Sequence, residues 1–135
     1  MKYYIDTSAA VKLVKPEPET EALHVFLRQV EQETGSPSLV SSDLLKTEIL
    51  SAVLRAGFAP AVGMRAINSV YLLRLSPQIC ESAGMLSGQL GVRSLDALHL
   101  ATAVSERPTL SAFVTYDQKL ADAARELGIQ VESPS

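Results

Sequence analysis

The stretch Arg93-Ser94-Leu95-Asp96-Ala97-Leu98-His99-Leu100-Ala101-Thr102-Ala103 is apolar on nearly every side when wound into a helix. Leu95, Ala97, Leu98, Leu100, Ala101, Ala103 and the following Val104 leave almost no polar face. Such a helix belongs inside a domain, covered by other elements. One residue conflicts with that setting. Asp96 carries a carboxylate into the apolar helix, and burying a lone carboxylate is costly. A partner, or a water-filled edge, has to come from elsewhere along the chain.

A chain of 135 residues has the size of one domain, and 1–135 reads as a single unit without linker, repeat or low-complexity tract. With 47% hydrophobic and 20% charged residues it can fill a core and is not disordered. The one cysteine, Cys80, excludes an internal disulfide and suits a reducing cytoplasm. It falls on the apolar stripe of a predicted helix and is expected to be a core thiol. Met1–Asp6 is too short and too acidic for a signal peptide, and no stretch approaches membrane-spanning length, so a soluble cytoplasmic protein is expected. The net charge is -3, and the twelve Lys and Arg are scattered singly. A sequence-independent nucleic-acid binder is typically basic, so any nucleic-acid role has to account for this charge.

The hydrophobic pattern alternates between short strands and helices. Lys2 to Ile5 reads as a buried strand, with Thr7 and Ser8 capping a short helix ended by Pro16 and Pro18. Thr20 caps a helix with Leu23, Phe26, Leu27 and Val30 at i, i+3, i+4, i+7 spacing, stopped by Gly35 and Pro37. Leu39 and Val40 form a second strand, and Ser41 or Ser42 caps a helix running to about Ala56. Pro60 opens another helix, and the latter part of Val70–Leu75 is a strand. Ser76-Pro77 starts a helix with Ile79, Ala83, Leu86 and Leu90 on one face, ending at Gly91. Ser94 caps the apolar helix. Ala112 to Thr115 is a strand, Asp117 caps a helix closed by Gly128, and Ile129 to Val131 is a last strand. This alternation predicts an α/β fold with a parallel sheet covered on both faces.

Four acids sit in odd places. Asp6 and Asp117 follow predicted strands, where ligand sites of parallel α/β sheets form. Asp96 lies in the first turn of the apolar helix. Glu48, at about 100° per residue, points into the stripe of Leu44, Leu45, Ile49, Ala52 and Val53. Each acid has a modest explanation as a cap, a turn or an ion-pair partner. One divalent cation would account for all four together, since carboxylates forced together repel without a counter-charge. Oxygen ligands with no clustered Cys or His favour Mg²⁺ or Mn²⁺ over zinc. His24 and His99 lack a zinc spacing, and His99 is expected to be a hydrogen-bonded core histidine.

Tyr4-Ile5-Asp6-Thr7-Ser8-Ala9, Glu48-Ile49-Leu50-Ser51-Ala52, Leu95-Asp96-Ala97-Leu98-His99-Leu100-Ala101 and Val114-Thr115-Tyr116-Asp117 together resemble a PIN domain, and more narrowly the VapC-type toxins of toxin–antitoxin pairs. The resemblance spans nearly the whole chain and keeps its order. It implies a three-layer α/β/α fold with a small parallel sheet and an acidic pocket holding one or two Mg²⁺ or Mn²⁺ ions. It implies Asp6, Glu48, Asp96 and Asp117 as the metal-binding, catalytic acids, with Thr7 and Thr115 orienting an acid or a water. The implied reaction is hydrolysis of RNA phosphodiesters by an activated water, leaving a 5′-phosphate and a 3′-hydroxyl. Two such ions would bring the net charge to about +1, which weakens the charge objection. Arg55, Lys46 and Arg93 are the basic residues nearest in sequence to the implied ligands. Tyr116 is expected to be packed or half-exposed, with stacking on a base as the alternative. The resemblance also implies a VapB-like antitoxin as inhibitor and a homodimer. The Leu23–Val30 and Leu44–Ala56 helices offer apolar surface for such contacts. Competing readings are a housekeeping PIN nuclease of RNA processing, a Mg²⁺-dependent phosphatase-like hydrolase and a non-catalytic binding module. Asp6-Thr7-Ser8 lacks the second acid two residues on that the phosphatase reading needs.

Overall fold

A computed structural model describes residues 1–35 and 38–135; the predicted helix stop at Pro37 lies outside them. Five parallel strands form one sheet: β1 (Lys2–Ile5), β2 (Ser38–Ser42), β3 (Tyr71–Leu73), β4 (Leu110–Val114) and β5 (Val131–Glu132). Their order across the sheet is β3-β2-β1-β4-β5. The chain leaves β1 in one direction through β2 and β3, then returns to its other side with β4 and β5. The order therefore reverses between β1 and β4, and a crevice opens beyond their carboxyl ends.

The helices are α1 (Thr7–Ala10), α2 (Thr20–Thr34), α3 (Leu44–Arg55), α4 (Pro60–Asn68), α5 (Pro77–Leu90), α6 (Ser94–Ser105) and α7 (Gln118–Glu126), with short 3₁₀ turns at Val11–Leu13 and Arg107–Thr109. Side chains alternate across a strand, and this alternation divides the core in two. Tyr4 and Phe113 point to the face covered by α5, α6 and α7, where their rings stack at 5.0 Å. Tyr3, Ile5, Ala112 and Val114 point to the opposite face, against α1, α2, α3 and α4. The result is the expected three-layer α/β/α arrangement.

Several local expectations shift by a residue or two. The cap of α1 is Asp6, which accepts from Ala9 N, not Thr7 or Ser8. Thr20 is the first residue of α2, and its hydroxyl accepts from Glu17 N in the preceding turn. Ser94 likewise lies inside α6 and does not cap it. Ser42 does serve the start of α3, accepting from Leu44 N at 3.0 Å. Cys80 is exposed, contrary to the core expectation. The buried side of α5 centres on Ile79, Ala83 and Leu86, and Cys80 lies about 100° round the helix from Ile79. No described helix is long and apolar enough to cross a membrane.

Candidate metal centre

β1 ends directly in Asp6, whose side chain turns back over the first turn of α1. Its carboxylate is almost fully buried. Oδ1 accepts from Ser8 Oγ at 2.7 Å and from Ala9 N at 3.0 Å, and Oδ2 accepts from Thr115 Oγ1 at 2.6 Å. Thr115 stands at the end of β4, so this bond joins the two strands that border the crevice. The same threonine oxygen accepts from Asp117 N at 3.1 Å, and Ser8 Oγ accepts from Tyr116 N at 2.9 Å. Asp117 caps α7 through Leu120 N, as the sequence predicts.

Glu48 reaches the crevice from α3. Its Oε1 accepts from Thr7 Oγ1 at 2.5 Å and bonds to His99 Nε2 at 2.8 Å. Asp96 enters from the first turn of α6. Glu48, Arg93, Ser94, Leu95 and Asp96 line one small cleft of about 240 Å³. Asp117 lies close enough to Asp96 to act on its charge. Glu48 and Asp96 thus share one cleft and Asp96 feels the charge of Asp117, while Asp6 is tied to the end of β4 through Thr115.

Asp96 has a side-chain partner, the ion-pair alternative to a shared cation. Arg93 Nε lies 3.5 Å from its Oδ2. The arginine is 83% exposed, so solvent screens the pair and it contributes little. Leu95, read as part of the apolar surface, is half exposed at the cleft mouth. Lys46 and Arg55 are exposed but do not line the cleft, which leaves Arg93 as the basic residue there. Tyr116 is packed: its hydroxyl donates to Pro134 O, and the Lys12 ammonium sits 4.7 Å from its ring centre.

The electrostatics separate the acids. Burial pushes the Asp6 carboxyl above the ordinary aspartate value, and hydrogen bonds from Thr115, Ser8 and Ala9 offset only part of that. Asp96 is also raised, first by burial and then by the charge of Asp117, with Arg93 drawing it partly back. Glu48 goes the other way. Burial alone would raise it, but the His99 and Thr7 hydrogen bonds outweigh burial and hold it below the ordinary value.

These shifts carry a stability prediction. A carboxyl raised in the folded state favours the protonated form, so ionising it at neutral pH destabilises the fold. In metal-free protein at pH 7, Asp96→Asn should raise stability by an amount between zero and about 1 kcal/mol. The gain should vanish as pH falls through the raised folded-state value towards the ordinary 3.8, because wild-type Asp96 then takes up its own proton. Thermal melts of both proteins across pH check this; a loss of several degrees at pH 7 would make Asp96 a structural ion-pair partner.

The donor set fits a hydrated, oxygen-seeking cation. An ionised carboxylate offers about four lone-pair sites. Asp6 Oδ2 receives one donor, Glu48 accepts both of its hydrogen bonds at Oε1, and among the described residues the second oxygens of Asp96 and Asp117 receive none from protein. Neither Asp6 nor Asp117 has a lysine or arginine within ion-pair distance among the described residues. Among those residues, no three Asp, Glu, His or Cys side chains stand close enough to cage an ion unaided. Magnesium does not require such a cage: it keeps several waters and takes one or two carboxylates plus substrate phosphate.

The PIN domain family model matches residues 3–126, and the chain belongs to that family. Ribonuclease VapC46 of Mycobacterium tuberculosis is 41% identical over 133 residues, covering 98% of this chain and 97% of that protein. Ribonuclease VapC47 of the same species is 37% identical over 134 residues, covering 97% and 96%. Within the family the chain therefore stands with the VapC ribonucleases. Among solved structures, VapBC2 from Rickettsia felis bound to a DNA fragment from its promoter aligns over the full length of both chains, with a TM-score of 0.73 at 15% identity. That likeness is one of fold.

Sequence reasoning had His99 as a core side chain and gave Ser8 only a capping role. His99 is indeed buried, yet it touches Glu48 directly. The available signal was its position one turn after Asp96 on the same buried helix.

Proposed function

We propose that this chain is a divalent-metal-dependent endoribonuclease acting as the toxin of a toxin–antitoxin pair. The observation that carries the reading is Asp6, a buried carboxylate at the strand-order reversal with no lysine or arginine among the described residues to neutralise it. The names of the VapC relatives supply the RNA substrate.

Asp6, Glu48, Asp96 and Asp117 would hold one or two Mg²⁺ or Mn²⁺ ions through their free oxygens. When bound, the ion supplies Lewis-acid charge at the scissile phosphate and makes a water nucleophilic at neutral pH. The chain's own residues fix the geometry. Thr115 holds Asp6 and the Asp117 backbone in one frame, and Thr7 holds Glu48. Arg93, at the cleft mouth, grips a flanking phosphate, and Leu95 offers apolar contact to a base. A VapB-like antitoxin is the proposed inhibitor of this enzyme, which is taken to work as a cytoplasmic homodimer.

Purified protein should cut RNA with Mg²⁺ or Mn²⁺ and lose that activity in excess chelator, and its expression alone should arrest growth. Undiminished cutting in chelator would exclude the metal mechanism. A small phosphate ester turned over faster than RNA would favour a phosphatase.

A further inference from the structure

Behind Glu48 lies a buried chain of polar groups that metal binding alone does not require. Tyr4 is fully buried in β1, yet its hydroxyl is not left to the apolar core. It lies 2.7 Å from His99 Nδ1. On the far side of the ring, His99 Nε2 lies 2.8 Å from Glu48 Oε1 and 3.2 Å from Thr7 Oγ1. The imidazole is 2% exposed and edge-on to the phenol, with ring centres 5.8 Å apart.

We propose that His99, locked by Tyr4, is a positioning residue that fixes the Glu48 carboxylate with Oε1 turned inward and Oε2 presented to the metal. The inference rests on the metal-site reading above. The hydrogen placement follows from the partners. Glu48 Oε1 is a carboxylate oxygen and only accepts, so Nε2 must carry a hydrogen. With the hydrogen on Nε2, Nδ1 of the neutral ring is the bare nitrogen and accepts from the phenol hydroxyl. Tyr4 therefore selects the Nε2–H tautomer, the one that can donate to Glu48. Without that donor, Thr7 alone would hold Oε1, and the Glu48 side chain would gain rotamer freedom towards water.

Partners one step behind a metal ligand typically govern 10–100-fold in metal affinity or activity. His99→Leu should weaken Mn²⁺ binding, followed by calorimetry, by about that factor. His99→Gln places an amide N–H near the former Nε2 and should recover most of the loss. In RNA cleavage the loss should fall on kcat at saturating RNA, with KM little changed. Tyr4→Phe keeps the packed ring and removes one oxygen, so it tests the lock where His99→Leu fails to fold. The ¹⁵N shifts of the His99 ring should report the Nε2–H tautomer in wild type and a mixture of tautomers in Tyr4→Phe. An Nδ1–H tautomer in wild type would overturn the proposal. So would Mn²⁺ affinity unchanged in folded His99→Leu, or unchanged tautomer and affinity in Tyr4→Phe. Wild-type protein that binds no Mn²⁺ would instead strike at the metal-site reading itself.

Discussion

Asp6→Asn is expected to lower RNA cleavage by about a thousandfold or more while leaving the protein folded, and to abolish growth arrest on expression. The substitution is nearly isosteric. Asparagine keeps an oxygen that can accept from Ala9 N and Ser8 Oγ, so the cap of α1 survives. The new amide faces Thr115, whose hydroxyl can accept as well as donate. The negative charge at the junction of β1 and β4 is lost. Metal charge stabilisation is worth several kcal/mol in such reactions, and each 1.36 kcal/mol is a factor of ten. Burial raises the Asp6 carboxyl, so removing its charge should hold or raise the melting temperature of the metal-free protein. Activity and stability should thus move in opposite directions, which a folding defect cannot mimic. Steady-state cleavage and melting curves on the same preparations check it; near-wild-type cleavage would remove Asp6 from the chemistry.

Saturating Mn²⁺ should raise the melting temperature of the wild type by about 10 °C, and excess chelator should reverse it. Mn²⁺ at 100 times its dissociation constant stabilises the folded state by about 2.7 kcal/mol, when the unfolded chain does not bind it. A chain of this length gains roughly 3–4 °C per kcal/mol. Burial raises Asp6, and burial with the charge of Asp117 raises Asp96, so the ion relieves a cost the fold already carries. Asp6→Asn should lose most of the shift, and Asp96→Asn part of it. An equal shift in Asp6→Asn would mean that the ion binds elsewhere.

The sheet was legible because its strands are short apolar runs with sharp ends. Lys2–Ile5 is bounded by Asp6, and Leu110–Val114 is followed within three residues by the cap Asp117. Helix ends marked by glycine were equally plain: Gly91 sits in the left-handed region at φ 69°, where other residues are strained. Caps were less legible because a run such as Asp6-Thr7-Ser8 offers three capping side chains. Only the turn of the chain, set by the pairing of β1 with β4, decides that Asp6 faces Ala9 N.

In the candidate site, the four acids stood out in the sequence, but their hydrogen-bond partners did not. Glu48 stood out because it interrupts an apolar stripe, and Asp96 because it interrupts an apolar helix. The strand-order reversal that joins Asp6 to Thr115 is a property of pairing between segments over a hundred residues apart. The link from Tyr4 to Glu48 through His99 is non-local in the same way. Cys80 and Leu95 misled because periodicity marks an apolar face without saying where its cover stops. At Leu95 the cover stops at the cleft, and at Cys80 it stops at the flank of α5.

An anomalous difference map from crystals grown with Mn²⁺ tests most directly whether one cation joins these acids. A peak at the carboxyl ends of β1 and β4, bonded to Asp6 Oδ2 and at least one of Asp96, Asp117 and Glu48, is the expected result. A map with no ion there at saturating Mn²⁺, or with the ion bound away from Asp6, would contradict it.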